Sequence, residues 1–561
     1  MTAEHVAVLR RAAERHQAGD LHEAIAGYRE VLAGRPRDPD TLHMLGIALA
    51  QSGRPQEAAP LMLAALESAP NSADLHFDLG NVLSALQRHA EALAVYRRAA
   101  ALGADGPEVH DAACRMALEV EQYAEALQSA DRALAMRPGD GYTLLNKASA
   151  LIALDRLEEA LACCDRAMSL MPEHWAAQFR RGVALAKLGR LAEAEPCLTR
   201  AAQLNPGNPA VHTDLGNLYG AQGRHERAHA SIARALELEP DYADARWNMA
   251  LLKLRQGELL AGWDLYEERF TMDARFGRQM RFKERRWTGR EDLRGKRVLI
   301  WCEQGLGDVL QFCRYAPLVR DLGADVTLEV PPQLKTLLTG QFSGLRLIGS
   351  NEPHPDFDYQ CPLLSLPGAL RTEVATIPAA VPYLKAEPAA VERWSRRLPA
   401  GPALRIGIAW QGNLVNERNW ASGRSWSLAA LEPLSRQPGV SLVSLQVGPA
   451  AEQLATVRFA DRILSFGGEL DAGPDAFVDT AAILMNLDLL ISCDTSVVHL
   501  AGALGVPVWV ALHLTSEWRW FRGRTDSPWY PTARLFRQRT AGDWGIVVDE
   551  MCRALESFSR A

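Results

Sequence analysis

Leu79-Gly80-Asn81-Val82-Leu83-Ser84-Ala85-Leu86-Gln87-Arg88-His89-Ala90-Glu91-Ala92 is the stretch that decides the fold of the first half of this chain, because its two small residues recur at a fixed interval. The position of Gly80 returns every 34 residues as Ala12, Gly46, Cys114, Ala148, Gly182, Gly216 and Ala250. That of Ala92 returns as Ala24, Ala58, Ala126, Ala160, Ala194, Ala228 and, less cleanly, Gly262. A third series, Pro36, Pro70, Pro138, Pro172, Pro206 and Pro240, closes the units and misses only at Ala104. Small residues let two antiparallel helices approach closely, and a proline after the second helix stops it. Each unit therefore reads as a helical hairpin, with Leu45-Gly46, Leu79-Gly80 and Leu215-Gly216 in first helices. Glu57-Ala58, Glu91-Ala92 and Glu125-Ala126 open second helices after short turns such as Ser52-Gly53-Arg54.

One hairpin cannot bury its own apolar face, so neighbours stack into a superhelix whose concave side is lined by first helices. The three registers match the tetratricopeptide-repeat pattern, with seven full units and a shorter eighth ending near Phe270. Grooves of this kind take an extended peptide or a helix. Asn81, Asn146, Asn217 and Asn248 lie on first helices beside the repeating small residue, where an amide either grips the backbone of a protein ligand or simply solvates the groove. Asparagine ladders of this sort are a feature of the O-GlcNAc transferase solenoid, which residues 1–270 resemble.

A chain of 561 residues exceeds one hydrophobic core, and 48% hydrophobic with 23% charged residues describes a folded protein. The formal charge of -7 gives none of the basic field that phosphate backbones require, and the basic strip from Arg275 to Arg290 reads as a solvated linker. Nine cysteines, odd in number and without a C-x-x-C pair, point to reduced thiols in a cytosolic protein. Arg10, Arg11, Glu14 and Arg15 interrupt any signal-peptide core between Met1 and Gln17, and no stretch has the eighteen or so uncharged apolar residues of a membrane span. A cytoplasmic location is expected.

Beyond Phe270 the register disappears, and short apolar runs alternate with helical stretches, which is α/β grammar. The aromatic and charged segment from Gly262 to Trp287 should tie the repeats to the α/β region, with residues 271–296 as linker. Strands are expected at Arg297–Cys302, Asp325–Val330 and Leu345–Ile348, forming a lobe over 297–385. After the proline-rich passage from Pro362 to Pro388, a second lobe over 386–561 restarts at Arg405–Trp410. Further strands are expected near 441–446, 462–466, 487–492 and 506–511. Two such lobes with a cleft describe the GT-B glycosyltransferase architecture, so the fold class reads as an all-α repeat superhelix followed by two Rossmann-like lobes. Gly305-Leu306-Gly307-Asp308 lacks the third glycine of a dinucleotide fingerprint, and no nicotinamide cofactor is assigned.

A strand ending in Asp494, with Thr495 and Ser496 opening a helix, offers free N–H groups and a positive dipole end to a phosphate. The competing reading is that Asp494 or Thr495 caps the helix. His499 lies one turn on, where it is either structural, a donor to phosphate, or an acid toward a leaving group. Gly305-Leu-Gly307-Asp308-Val, Pro317 and Asp494-Thr-Ser-Val-Val-His499-Leu-Ala-Gly502 resemble the paired signatures of heptosyltransferase-like glycosyltransferases over Arg297–Gln538. The resemblance implies that Asp308 is the general base on the acceptor hydroxyl; its plain alternative is a helix N-cap. It also implies a second phosphate-facing loop from Trp410, Gly412 and Asn413 to Arg424, with Arg418 and Arg424 as clamp. Where that family has lysine, only arginines and Asn413 stand here. No D-x-D signature follows a strand, so no metal is assigned. Asp479-Thr480 either hold the ribose or the phosphate or cap a helix, and Trp518-Arg519-Trp520 with Ser527 to Pro531 are read mainly as packing.

The whole chain resembles bacterial tetratricopeptide flagellin glycosyltransferases. That resemblance implies a protein acceptor, flagellin, modified on serine or threonine with a CMP-activated nonulosonic acid as donor. A UDP-sugar enzyme of the O-GlcNAc type, a glycan-building transferase and a non-catalytic adaptor are the alternatives.

Overall fold

The computed structural model describes residues 3–272, 281–401, 403–412 and 423–558. Packing divides the chain into two compact units, Met1–Pro206 and Gly207–Ala561.

The first unit is all helix. It pairs α1 (Ala3–Gln17) with α2 (Leu21–Gly34), α3 (Pro39–Gln51) with α4 (Pro55–Ser68), and α5 (Ala73–Ala85) with α6 (His89–Ala101). The pairs α7 (Pro107–Glu119) with α8 (Tyr123–Met136), α9 (Gly141–Ala153) with α10 (Leu157–Leu170), and α11 (Trp175–Lys187) with α12 (Leu191–Leu204) complete it. Ala24, Ala58, Ala92, Ala126, Ala160 and Ala194 are all 0% exposed. The first-helix series has an equally simple cause. A Cβ on Gly46 would stand 2.7 Å from Met62, one on Gly80 2.5 Å from the Tyr96 ring, and one on Gly182 2.7 Å from Leu198. Each of these bulky partners lies sixteen positions on, in the second helix of the hairpin. Where the first helix instead carries Cys114 or Ala148, the sixteenth residue on is small, Ala130 or Cys164. In the hairpins of Gly46, Gly80 and Gly182 a bulky side chain on the second helix is met by glycine on the first, as a close-packed interior requires, whereas Ala12 with Tyr28 shows that alanine is also admitted there.

Local chemistry follows the same period. The side chains of Asp38, Ser72 and Asp140 cap first helices by accepting from N–H groups of the opening turn. Second helices begin after an arginine paired with a glutamate three residues on, in Arg54–Glu57, Arg88–Glu91, Arg156–Glu159 and Arg190–Glu193. These exposed pairs contribute little to stability.

The second unit opens with two more hairpins, α13 (Pro209–Ala221) with α14 (His225–Leu238), and α15 (Ala243–Gln256) with the short α16 (Leu259–Tyr266). A four-stranded parallel sheet comes next, in the order β3-β2-β1-β4, from β1 (Arg297–Trp301), β2 (Asp325–Val330), β3 (Arg346–Gly349) and β4 (Tyr359–Pro362). After β1 comes α17 (Leu306–Phe312). The second lobe adds α18 (Pro388–Ser395) and a six-stranded parallel sheet, ordered β10-β9-β8-β5-β6-β7. Its strands are β5 (Leu404–Ala409), β6 (Val440–Ser444), β7 (Ile463–Leu464), β8 (Leu489–Cys493), β9 (Val508–Leu512) and β10 (Ala533–Arg537). Helix α19 (Val478–Leu484) precedes β8, and α20 (Ser496–Leu504) links β8 to β9.

Two strands were not expected. β4 reads Tyr-Gln-Cys-Pro and β10 reads Ala-Arg-Leu-Phe-Arg, both too polar to signal a buried strand by pattern. The strand expected near 462–466 shrinks to the edge pair Ile463–Leu464. Hairpins do run to the 270 region as the register implied, but packing divides the chain after Pro206 rather than there. The reason is α15 and α16: Ala250, Leu254, Leu259, Trp263 and Tyr266 belong to one continuous apolar core with Ile300 of β1 and Val510 of β9. Trp263 further donates its indole N–H to the carbonyl of Thr372 at 3.0 Å. The Gly262–Trp287 segment thus joins the last hairpins to the lobes through Trp263 and Tyr266, among its described residues.

Candidate functional site

The central strand β8 delivers Asp494 at its C-terminal end, and α20 begins two residues later. Neither Asp494 nor Thr495 caps that helix with its side chain; Thr495 Oγ1 instead lies 3.1 Å from Ser492 Oγ. The capping alternative for this pair is therefore set aside. Asp494 is 3% exposed; the Trp520 indole faces its carboxyl, but Oδ2 makes no hydrogen bond of ordinary geometry. Burial raises its pKa to about 6 against the opposing pull of Arg424, with Glu517 adding to the rise. An uncapped helix start beside a buried carboxyl can receive an anionic or hydroxyl-bearing group.

Across from it stands the start of α17. A Cβ on Gly307 would meet His499 Cδ2 at 3.0 Å and Ser496 Oγ at 3.3 Å, and a Cβ on Gly502 would meet the Tyr530 ring at 2.3 Å. Glycines that looked like parts of a ligand turn are thus required by the close approach of α17, α20 and Tyr530. The N-cap of α17 is Gly305; Asp308 stands at the third helical position, accepts from the N–H of Gly305 at 2.9 Å, and pairs its other oxygen with Arg519 of the second lobe. Asp308 thus serves the helix start as the returning side of a capping box rather than as the N-cap, and acting as a base additionally requires it to exchange Arg519.

His499 is buried; its Nδ1 lies 3.0 Å from the Tyr530 hydroxyl and its ring stacks on Trp520 at 5.6 Å. Burial first, then the charges of Arg519, Arg314 and Arg424, hold its pKa well below the usual value. The shift favours the neutral imidazole, which can donate a hydrogen bond, and works against the imidazolium that the acid role requires.

Gly412 donates its N–H to Ser425 Oγ at 3.0 Å, and Arg424 lies close enough to bias Asp494, His499 and His513. Asn413 and Arg418 lie outside the described residues. Asp479 is bound by Arg393 at 2.9 Å and by the Trp394 indole at 2.7 Å, while Asp471 caps its helix, which accounts for it without a ligand. Trp518, Trp520, Trp529 and Tyr530 are buried as packing residues. Arg519 among them is not mere packing, since it pairs with both Asp308 and Glu517. Sequence reading also missed Arg314, which donates to the carbonyl of Trp529 at 2.8 Å and to Tyr383 Oη at 2.6 Å and so clamps one lobe to the other. Only its place just past the end of α17, nine residues after Gly305, hinted at this.

In the repeats, Asn81 accepts from Tyr96 Oη at 2.8 Å, Asn146 donates to Asp111 at 3.2 Å and Asn217 donates to Asp214 at 3.3 Å; Asn248 is partly exposed. Three of these four amides thus spend part of their capacity inside their own unit.

A register of helical hairpins followed by two parallel α/β sheets defines the class of this molecule. Residues 9–254 are tetratricopeptide repeats: models of that family match 9–72, 43–107 and 115–170, then 147–213, then 185–254. The chain is 30% identical over 348 residues to protein FlbA of Caulobacter vibrioides, an overlap of 57% of this chain and 56% of that one. It thus spans about half the length of that relative. Similar solved structures include TTC0263, a thermophilic TPR protein in Thermus thermophilus, at 28% identity and a TM-score of 0.30, covering 33% of this chain and 100% of that one. YrrB, a TPR protein with an unusual peptide-binding site, matches at 25% identity and a TM-score of 0.27, covering 33% of this chain and 95% of that one. No described helix is long and apolar enough to cross a membrane.

Proposed function

We propose that the chain is a protein O-glycosyltransferase whose repeats capture a polypeptide and whose two α/β lobes transfer a sugar from a nucleotide-activated donor to its serine or threonine. The observation that carries this is the uncapped start of α20 beside the partnerless Oδ2 of buried Asp494, at the C-terminal edge of a parallel sheet where such folds bind ligands. Thr495, Ser496 and the helix N–H groups hold the donor's phosphate, with Arg424 offsetting its charge. Asp308, once a substrate displaces Arg519, takes the acceptor proton; neutral His499 donates to the leaving phosphate. Flagellin as acceptor and a CMP-activated nonulosonic acid as donor are the reading carried over from the family resemblance, in a cytoplasmic setting.

A thermal-shift screen with CMP, UDP, GDP and ADP tests the reading: one nucleotide should raise the melting temperature, and Thr495→Val should reduce that rise. A chain that none of the four stabilises would be an adaptor. With the donor known, Asp308→Ala should abolish transfer while leaving polypeptide capture intact; transfer at the normal rate would remove Asp308 from the mechanism.

A further inference from the structure

The last repeat hairpin brings a cation near the C-terminal edge of the second sheet. β9 pairs with β8 in the register Cys493↔Ala511, so His513 leaves the sheet at the same edge as Asp494. The loop after His513 leans on the repeats: Leu514 lies 3.8 Å from where a Cβ on Gly223 would stand, and Phe521 lies 3.8 Å from that of Gly257. Arg255 occupies the last turn of α15, two residues before Gly257. It is partly buried, its Nε is sealed from solvent, and no described residue accepts a hydrogen bond from it.

Its surroundings do not neutralise it. Glu517 is the acid whose field reaches Arg255, and that carboxylate already accepts from Arg519 at 3.2 Å. Arg537 beside it spends its donors on Ser516 Oγ and the carbonyls of Trp520, Phe521 and Arg524, none of them charged. His513 feels both Arg255 and Arg424, and burial with these cations lowers its pKa to about 4. A guanidinium whose Nε is sealed from water and which no described acceptor meets gains from an anion that completes it, and its planar fork suits two oxygens of one group.

We propose that Arg255 is the repeat-borne element of an oxyanion subsite beside His513 at the C-terminal edge of the second sheet, taking a phosphoryl or carboxylate group of a bound small molecule. The subsite stands independently of sugar transfer, and it makes the last repeat part of the ligand site rather than only a capture arm.

The test is a melting-temperature titration of the full chain with inorganic phosphate and, separately, acetate, at constant ionic strength. Wild type and R458M, which removes an exposed arginine elsewhere, should show the same saturable rise with at least one anion. R255M should weaken that apparent affinity about tenfold or more, the size expected for a charge-assisted hydrogen bond, and R255K should fall between. A response to phosphate alone identifies a phosphoryl subsite, and one to acetate alone a carboxylate subsite. Without ligand, R255M should melt at or above wild type, because an unpaired charge has been removed. The proposal is overturned if wild type shows no saturable rise with either anion, if R255M titrates like wild type, or if R255M melts far below it.

Discussion

The repeats of the first unit and the α/β lobes of the second use charge in opposite ways. In the first unit the arginine–glutamate pairs sit outside, as in Arg88–Glu91 with 43% and 58% exposed side chains, and the interior is alanine, leucine and glycine. In the second unit Arg269 is 0% exposed and is bound by Glu267, by Glu303 and by Ser365. Glu329, Arg314, Asp494, His499 and Arg519 are likewise buried. A stack of hairpins needs only its helices to pack closely to repeat itself, whereas two lobes joined through buried arginines and carboxylates carry polar groups inward and must pair them. Among the buried polar atoms left without a partner there, Asp494 Oδ2 and Arg255 Nε are the two on which the ligand proposals rest.

Cutting the chain is the most severe way to probe that contrast. A fragment from Gly207 should fold and unfold cooperatively, while one from residue 271 should aggregate, because removing Trp263 and Tyr266 uncovers Trp518 and its neighbours. If circular dichroism and light scattering showed the shorter fragment folded and monomeric, the last hairpins would belong with the repeats after all. Next in size, Arg269→Met should cost about 3–5 kcal/mol in urea unfolding by leaving Glu303 buried without its partner. A loss below about 1 kcal/mol would mean that Glu303 simply takes up a proton.

The pH dependence has a defined sign. Asp494 has a folded-state pKa of about 6, above the ordinary value of 3.8, so the folded chain holds its proton more tightly than the unfolded one. That contribution to stability is fully present below about pH 4 and lost as pH rises through 6, a fall of roughly 2–3 kcal/mol. Asp494→Asn should flatten that part of the stability–pH profile; an unchanged profile would assign the titration elsewhere. The smallest effect belongs to the repeats: Arg88→Ala should leave the melting temperature where it is, and a clear drop would show that the outer pairs matter more than their exposure implies.

The sequence by itself determined the repeats. The first-helix glycines of the 34-residue register, Gly46, Gly80, Gly182 and Gly216, each meet a bulky residue sixteen positions on in the same hairpin, so Gly80 and Tyr96 disclose each other without knowledge of the whole fold. Most strands of the lobes were equally legible, because parallel strands buried on both faces read as continuous apolar runs. β4 and β10 were not, and neither were the roles of the site residues. Gly307 and Gly502 are glycines because of His499 and Tyr530, Asp308 is tied to Arg519, and Arg255 of the last repeat stands near Glu517 and His513. Those partners are separated by tens to hundreds of residues, and nothing periodic links them. Only the tertiary structure, by burying them together where charge is expensive, decided which groups are satisfied and which await a ligand.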